Sequence, residues 1–277
     1  MQTVTLTTDW ANNAYSLKTK MDINVPTVYT VGDYYVAQLK GVLRRLSDSV
    51  DIIDISHSIQ SFNSMQAGYV LRNVYSFFPE GTIHLIGVNS EPSAKNRFVI
   101  VWHNGHYFVG ANNGVFSMIF DEVPKEVYEL EPEKNLSGFA ALTLFAAAVE
   151  NIMEKRELST FANKTEIRRK APPAATFDNN CINGRVVFID NFGNLFTNVS
   201  HDIFTKIAKG RNFQISVRDI TITCLSQYYD DVEKNKYLAM FNSADILEIA
   251  MRESNLAQKK GIPVNENIKI EFGNLFY

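Results

Sequence analysis

Hydrophobic and polar positions alternate between two periods over the first 170 residues, and the switches mark a succession of strands and helices. Thr3–Thr7 is a short β-branched run that ends in Thr8-Asp9-Trp10. Asp33-Tyr34-Tyr35 precedes Val36–Leu43, whose apolar positions recur at helical spacing, with Asp33 as a candidate N-cap. Val50–Ile55 (VDIIDI) predicts a buried strand, followed by His57 and Ser58 in a loop. Met65–Phe78 has helical period and stops at Pro79-Glu80-Gly81. Thr82–Val88 predicts the next strand. Arg97–Trp102 and His106–Val109 then flank Asn104-Gly105, a pair that tolerates positive φ and predicts a tight hairpin. Polar loops, Asn89–Asn96 and Gly110–Gly114, lie at the ends of that hairpin, where sites are commonly built. Val115–Phe120 predicts a helix, Val127–Leu130 a short strand, and the alanine-rich Phe139–Met153 a buried helix. Strands alternating with helices imply a parallel-type sheet with helices packed on it.

The pattern changes after residue 170. Ala171-Pro172-Pro173-Ala174-Ala175 reads as a boundary, preceded by a polar edge that carries Arg168-Arg169-Lys170. Beyond it, Gly184–Asp190, Leu195–Val199, Phe213–Val217, Ile220–Cys224, Tyr237–Phe241, Ile246–Met251 and Ile268–Phe272 all predict strands, which implies a small barrel or sandwich. The expected organisation is an α/β N-terminal domain over residues 1–170, a linker over 171–180, and a smaller β-rich domain over 181–277. One stretch, Ala11–Gly32, fits neither period well. It reads as a surface insertion or as a flap over Asp9.

Composition removes several function classes. A formal charge of −3 over 277 residues gives no reason to expect nucleic acid or an anionic membrane as partner. No run approaches a membrane span, and the start MQTVTLTTDW lacks the basic and apolar segments of a leader, so a cytoplasmic location is expected. Cys181 and Cys224 have no metal-ligand spacing and read as buried thiols. There is no glycine-rich phosphate loop and no zinc signature, so neither metal nor cofactor is expected.

The ordered phrases TTDW, GDYYVAQLKG, VDIIDISHSI, FFPEGTIHLIGV, YFVGANNGVFS, RVVFIDNFGNLFTNVS and NSADILEIAMRESNLAQKKG resemble the S-adenosyl-L-methionine (SAM) hydroxide adenosyltransferases. These SAM hydrolases share their plan with the fluorinase and chlorinase halogenating enzymes. The resemblance covers nearly the whole chain, and FFPEGT, DNFGNLFTN and SADILEIA are specific in combination. It implies an α/β N-terminal domain with a central mixed sheet flanked by helices, a barrel-like C-terminal domain, and a homotrimer with sites between subunits. It also implies attack of water on the ribose C5′ of SAM, giving adenosine and methionine. Methionine leaves as a neutral thioether, so such a site works by positioning and by excluding solvent.

Carried over residue by residue, the resemblance makes Asp9 the ribose-diol acceptor, places Asp33 near the sugar and methionine, and sets Phe62 against the ligand. Asn89 lies in the strand-following loop that meets the ligand, and Asn113 lies in a second such loop. Asp190, Phe192, Asn194 and Ser243 match C-terminal positions that hold the methionine end and the adenine region. Asp190–Asn194 is also a good turn on its own chemistry, and Asp9 a good cap.

Two features depart from the family pattern. The usual Asp-Pro-Gly-Val-Gly-Ser-x-Arg loop reads Asn89-Ser90-Glu91-Pro92-Ser93-Ala94-Lys95-Asn96 here, and the usual Phe-His-Gly-Arg-Asp reads Phe139-Ala140-Ala141-Leu142-Thr143. Asn89, Asn96 and Ala140 therefore stand where an Asp-Arg-His water-binding set is expected, which leaves the catalytic residues unassigned. His57 is a possible substitute. The insertion Ala11–Gly32 is the second departure. The readings are thus a SAM-cleaving enzyme, a protein that binds SAM or adenosine without cleaving it, or a structural relative with a closed pocket.

Overall fold

The structure, a computed structural model, describes residues 2–10, 34–131, 139–170 and 174–273. The backbone divides into two compact units, Met1–Pro172 and Pro173–Tyr277. Asp33 and the Ala11–Gly32 insertion lie outside the described residues.

The first unit runs β1 (Gln2–Thr8), α1 (Tyr35–Leu46), β2 (Val50–Ser56), α2 (Ser64–Arg72), β3 (Ile83–Gly87), β4 (Phe98–His103), β5 (His106–Ala111), α3 (Phe116–Ile119), β6 (Glu126–Glu129), α4 (Ala140–Met153) and β7 (Asn163–Lys164). Its sheet has the order β2-β1-β3-β5-β4-β6-β7. The first four in that order run parallel, and β4, β6 and β7 add antiparallel pairs. The mixed sheet follows from the connections. Helical crossovers return the chain parallel, whereas Asn104 (φ 47°) and Gly105 (φ 79°) reverse it in two residues.

Helices cover both faces. Val36, Leu39 and Leu43 of α1, with Ala141, Leu144, Phe145 and Ala148 of α4, bury a stripe against Val4, Leu6 and Leu85. Leu39 and Leu43 are fully buried, each a contribution of about 1.5–3 kcal/mol. Ala67 and Leu71 of α2, with Phe116 and Ile119 of α3, pack on Ile86, Val99 and Phe108 across the sheet.

The structure corrects two expectations. β2 is an edge strand with only Val50 fully enclosed and with Ile53 exposed, because its outer side has no neighbouring strand. The helical period over 65–78 also breaks, since α2 stops at Asn73 and Tyr75–Phe77 forms a separate 3₁₀ turn. Asn73 draws the chain in by donating from Nδ2 to Tyr69 O (2.7 Å).

Toward the amino ends of β3 and β5, His84 is fully buried. Its Nδ1 meets Thr5 Oγ1 at 2.7 Å and its Nε2 lies 3.3 Å from His106 Nδ1. The rings of Tyr75, Phe78 and Phe108 surround it. Burial, reinforced by His106, pushes its pKa down to about 3, so His84 is neutral in the folded unit.

The second unit contains β8 (Thr176–Phe177), β9 (Cys181–Ile189), β10 (Leu195–Ser200), α5 (His201–Ala208), β11 (Asn212–Val217), β12 (Ile220–Ile222), β13 (Tyr237–Phe241), β14 (Ile246–Met251), α6 (Leu256–Lys260) and β15 (Asn267–Gly273). The antiparallel order β12-β11-β15-β9-β10-β14-β13, with β8 beside β9, curls toward closure. Just past β12, Ser226 N–H donates to Ala239 O of β13 (2.8 Å) and draws the two ends of the sheet together. Ile182, Leu195, Val199, Ile249 and Ile270 fill the interior. The thiols differ from expectation: Cys181 is half-buried and Cys224 exposed, because Cys224 lies beyond the last residue of β12.

Candidate functional site

In the first unit, the carboxyl ends of β1, β2, β3 and β5 share one edge. β1 leads to β2 on one side and, through the next crossover, to β3 on the other. The crevice between β1 and β3 is therefore the point where strand order reverses, the usual ligand position in open α/β sheets. Asp9 leaves β1 there, with its N–H bonded to Gly87 O (3.2 Å). Its Oδ2 accepts from Phe62 N (2.8 Å) and Asn89 N (3.3 Å). Both partners have positive φ, 64° and 45°, so both loops are bent to turn their amides onto the carboxylate. Among the described residues, Oδ1 accepts nothing.

Asn113 secures the same loop from beneath. Its Nδ2 donates to Val88 O (2.9 Å) and Asn89 O (3.3 Å), and its Oδ1 accepts from Val115 N (3.1 Å). The structure thus brings Asp9, Phe62, Asn89 and Asn113 together. The Phe62 ring is 74% exposed, so it fills no protein pocket among the described residues. Trp10 packs edge-on against Phe139 (4.9 Å between centroids) and over Gly87, where a Cβ would fall 2.4 Å from the indole.

The three positions of the expected water-binding set fall into two places. Asn89 belongs to the Asp9 cluster. Ala140 lines a cavity of about 580 Å³ together with Glu91, Arg97, Phe98, Glu129 and Leu144. Asn96 lies next to it, in a tight bend where its N–H bonds Ser93 O (3.0 Å) and Ser93 Oγ (3.1 Å). Arg97 and Glu129 form an ion pair on the cavity wall. His57 does not face this cavity; its Nδ1 meets Thr8 Oγ1 (2.9 Å).

In the second unit, Asp190 organises the turn between β9 and β10. Oδ1 accepts from Phe192 N (2.9 Å) and Asn194 N (2.8 Å), and Oδ2 accepts from Asn194 Nδ2 (3.1 Å). Gly193 (φ 83°) lies so close to Asn255 that a Cβ would fall 2.1 Å from its Oδ1. This turn borders a concavity of about 580 Å³, also lined by Tyr229, Arg252 and Asn255. Ser243 is not among its lining residues and sits exposed in the β13–β14 turn.

Sequence reasoning passed over Tyr229 and Glu248. The Tyr229 hydroxyl donates to Glu248, which is 2% exposed on β14, and Asn194 Nδ2 approaches the same hydroxyl at 3.5 Å. Burial raises the Glu248 carboxyl above the ordinary range, and the nearby Asp190 adds to the rise. Tyr229 is likewise held protonated well above the usual phenol range, by burial and by Glu248. One signal was present: an acidic residue amid the apolar run Ile246–Met251.

Comparison with known proteins converges on one group. The sequence profile of the SAM hydroxide adenosyltransferase N-terminal domain matches residues 23–162, and that of the C-terminal domain matches 184–269. The chain belongs to the SAM hydroxide adenosyltransferase family. Within it, the (R)-S-adenosyl-L-methionine hydrolase of Methanocaldococcus jannaschii is 24% identical, over 90% of this chain and 95% of its own. The Actinopolyspora mzabensis fluorinase is 22% identical, over 86% of this chain and 93% of its own. Among solved structures, an uncharacterized conserved protein from Thermotoga maritima superposes with a TM-score of 0.80 at 25% identity, covering 97% of this chain and 99% of that one. Among the described residues, no group of three potential metal ligands comes together, and no helix is long and apolar enough to cross a membrane.

Proposed function

We propose that this family member binds SAM or an adenosine-like nucleoside, with Asp9 as the anchor for the ribose. The observation that carries the reading is the state of the Asp9 carboxylate. One oxygen is pinned by two backbone amides at the strand-order switch point, while Oδ1 accepts nothing among the described residues. A carboxylate fixed in this way has lost its rotational freedom before a ligand arrives, and an oxygen with no partner among the described residues suits a hydroxyl donor. Phe62 supplies an exposed ring beside it, and the Asp190, Phe192 and Asn194 turn supplies a second recognition element. The sites are expected to form between subunits of a homotrimer; sedimentation that finds only monomer would remove that part.

Cleavage is a second reading. Asn89, Asn96 and Ala140 provide no proton acceptor in place of the Asp-Arg-His set, which favours binding without efficient turnover. The Arg97–Glu129 pair beside Ala140 favours the cleaving alternative, because it returns a guanidinium and a carboxylate to that cavity.

Calorimetry with SAM and with adenosine, against Asp9→Ala, tests binding. Prolonged incubation with SAM, followed by chromatography for adenosine, tests cleavage. Saturable binding lost in Asp9→Ala, with adenosine no higher than in protein-free controls, is the expected result. Adenosine above the protein-free and Asp9→Ala controls would instead make the chain a hydrolase, with Glu129→Gln the next variant. Wild type that binds neither ligand overturns the proposal.

A further inference from the structure

A line of four side chains runs beside the Asp9 cluster and has no role in the reading above. Lys40 Nζ of α1 lies 2.5 Å from Asp54 Oδ2 of β2. His57 Nε2 lies 3.1 Å from Asp54 Oδ1, a close approach without the alignment of a hydrogen bond. His57 Nδ1 then meets Thr8 Oγ1 at 2.9 Å. Thr8 is 1% exposed and directly precedes Asp9. Its Oγ1 is also the acceptor for Trp10 N–H, at 3.5 Å.

Charge and hydrogen-bond direction order this line. Partial burial would raise the Asp54 carboxyl, but the contacts with Lys40 and His57 overrule it and hold its pKa below the usual value, so Asp54 is anionic. In the neutral ring, a carboxylate facing Nε2 favours the tautomer with its proton on Nε2. Nδ1 is then an acceptor, and the Thr8 hydroxyl must donate to it. With its proton directed at His57, Thr8 Oγ1 presents lone pairs to the Trp10 amide. That is a side-chain turn closed across Asp9, the only residue between the two.

We infer that His57 is a positioning residue for Asp9: the Lys40–Asp54–His57–Thr8 line fixes the Thr8 hydroxyl, and through the Thr8–Trp10 turn it fixes the direction of the Asp9 carboxylate. This rests on Asp9 as the ligand anchor. His57 is not a base for water in this arrangement, since both ring nitrogens already face protein partners.

The two ring nitrogens can be tested separately. In His57→Asn the amide oxygen can replace Nδ1 as acceptor from Thr8, while the Asp54 contact is lost. In His57→Gln the longer side chain reaches Asp54 and leaves Thr8 without its acceptor. Full-length wild type, His57→Asn, His57→Gln, Thr8→Val and Thr8→Ser are compared by calorimetry with SAM and adenosine, alongside thermal melting. Losing one hydrogen bond predicts affinity about fivefold to tenfold weaker for His57→Gln and Thr8→Val. His57→Asn and Thr8→Ser recover most of that loss. The Thr8→Val/His57→Gln double variant is no weaker than either single one, because both break the same bond.

Equal losses in His57→Asn and His57→Gln, or losses that only track the melting temperature, would overturn the inference in favour of a general structural role. Amide exchange at Trp10, Phe62 and Asn89 gives a readout that needs no ligand. Faster exchange in His57→Gln and Thr8→Val, but not in Thr8→Ser, supports positioning even if wild type binds neither compound. That last result would sink the ligand reading alone.

Discussion

Asp9 and Asp190 solve the same local problem with different reach. Each leaves the end of a strand and uses one carboxylate oxygen to hold a phenylalanine amide and an asparagine amide. Each leaves the phenylalanine ring in solvent, Phe62 at 74% and Phe192 at 77% exposed. Asp190 gathers partners two and four residues away, and its second oxygen is satisfied by Asn194. Asp9 gathers partners 53 and 80 residues away, and its second oxygen has no partner among the described residues. A local clasp survives as a turn whatever the rest of the unit does. A long-range clasp exists only once three segments of the sheet edge have assembled, so its geometry reports the state of the whole unit.

Acidification should separate the two units most strongly. His84 has a depressed pKa when folded, so unfolded chains bind the extra proton. Its contribution is complete above about pH 6.5 and is lost progressively as pH falls toward 3. Glu248 has the opposite sign. Its raised pKa means the folded state takes up the proton first, so the second unit gains from acidification toward the ordinary carboxylate range. Hydrogen exchange at about pH 7 and about pH 5 should show the first unit loosening while the second holds or tightens. His84→Phe should flatten the first response. Parallel loosening of both units would break the contrast.

Next in size are the two glycines that let each clasp close. Gly87→Ala pushes a methyl into the Trp10 indole, and Gly193→Ala forces a strained φ as well as a clash with Asn255. Each should cost about 1–3 kcal/mol by denaturant unfolding. Gly87→Ala should also weaken nucleoside binding by displacing the segment that carries Asp9.

In the lower part of that range, Asp9→Ala should destabilise by about 1–2 kcal/mol, since it frees amides in two distant loops, whereas Asp190→Ala should cost about 1 kcal/mol. Exchange in Asp190→Ala should quicken only around residues 190–194. A spread of exchange across the second unit would show that its clasp is not local. Smallest of all, Phe62→Ala and Phe192→Ala should change stability by under about 0.5 kcal/mol, because neither ring is buried, while Phe62→Ala weakens binding of an aromatic base. A large stability loss in either would mean the ring packs against protein.

Legibility followed the same division. Asn104-Gly105, the strand runs of the second unit and the Asp190 turn could be read because cause and effect lie within a few residues. Period and order implied a parallel-type sheet and a β-rich second unit, whereas the mixed sheet and the barrel-like closure were implied by the family resemblance. What could not be read depended on distant neighbours. The exposed flank of Val50–Ile55 reflects its place at the sheet edge, and an apolar run does not encode that place. The short reach of α2 reflects one asparagine in an otherwise helical stretch. The oxygen of Asp9 that meets Phe62 and Asn89, and the bond between His57 and Thr8, follow from strand order rather than from spacing. Glu248 was visible as an acidic interruption, but its hydroxyl partner Tyr229 lies 19 residues earlier across the barrel.

The position of β1 also bears on how the chain is made. It is made before both of its neighbours, β2 and β3, and Val4 pairs with Ile83. At roughly 5–20 residues per second, the inner edge of β1 waits roughly 4–16 seconds for β3 to emerge. Its sequence suits that delay. Thr3, Thr5 and Thr7 alternate with Val4 and Leu6, so one side of the waiting segment carries hydroxyls that water can satisfy. An all-valine version would present a sticky ribbon to every neighbouring nascent chain. The threonine that meets His84 in the interior, Thr5, is thus also a side chain that water can satisfy before the sheet forms.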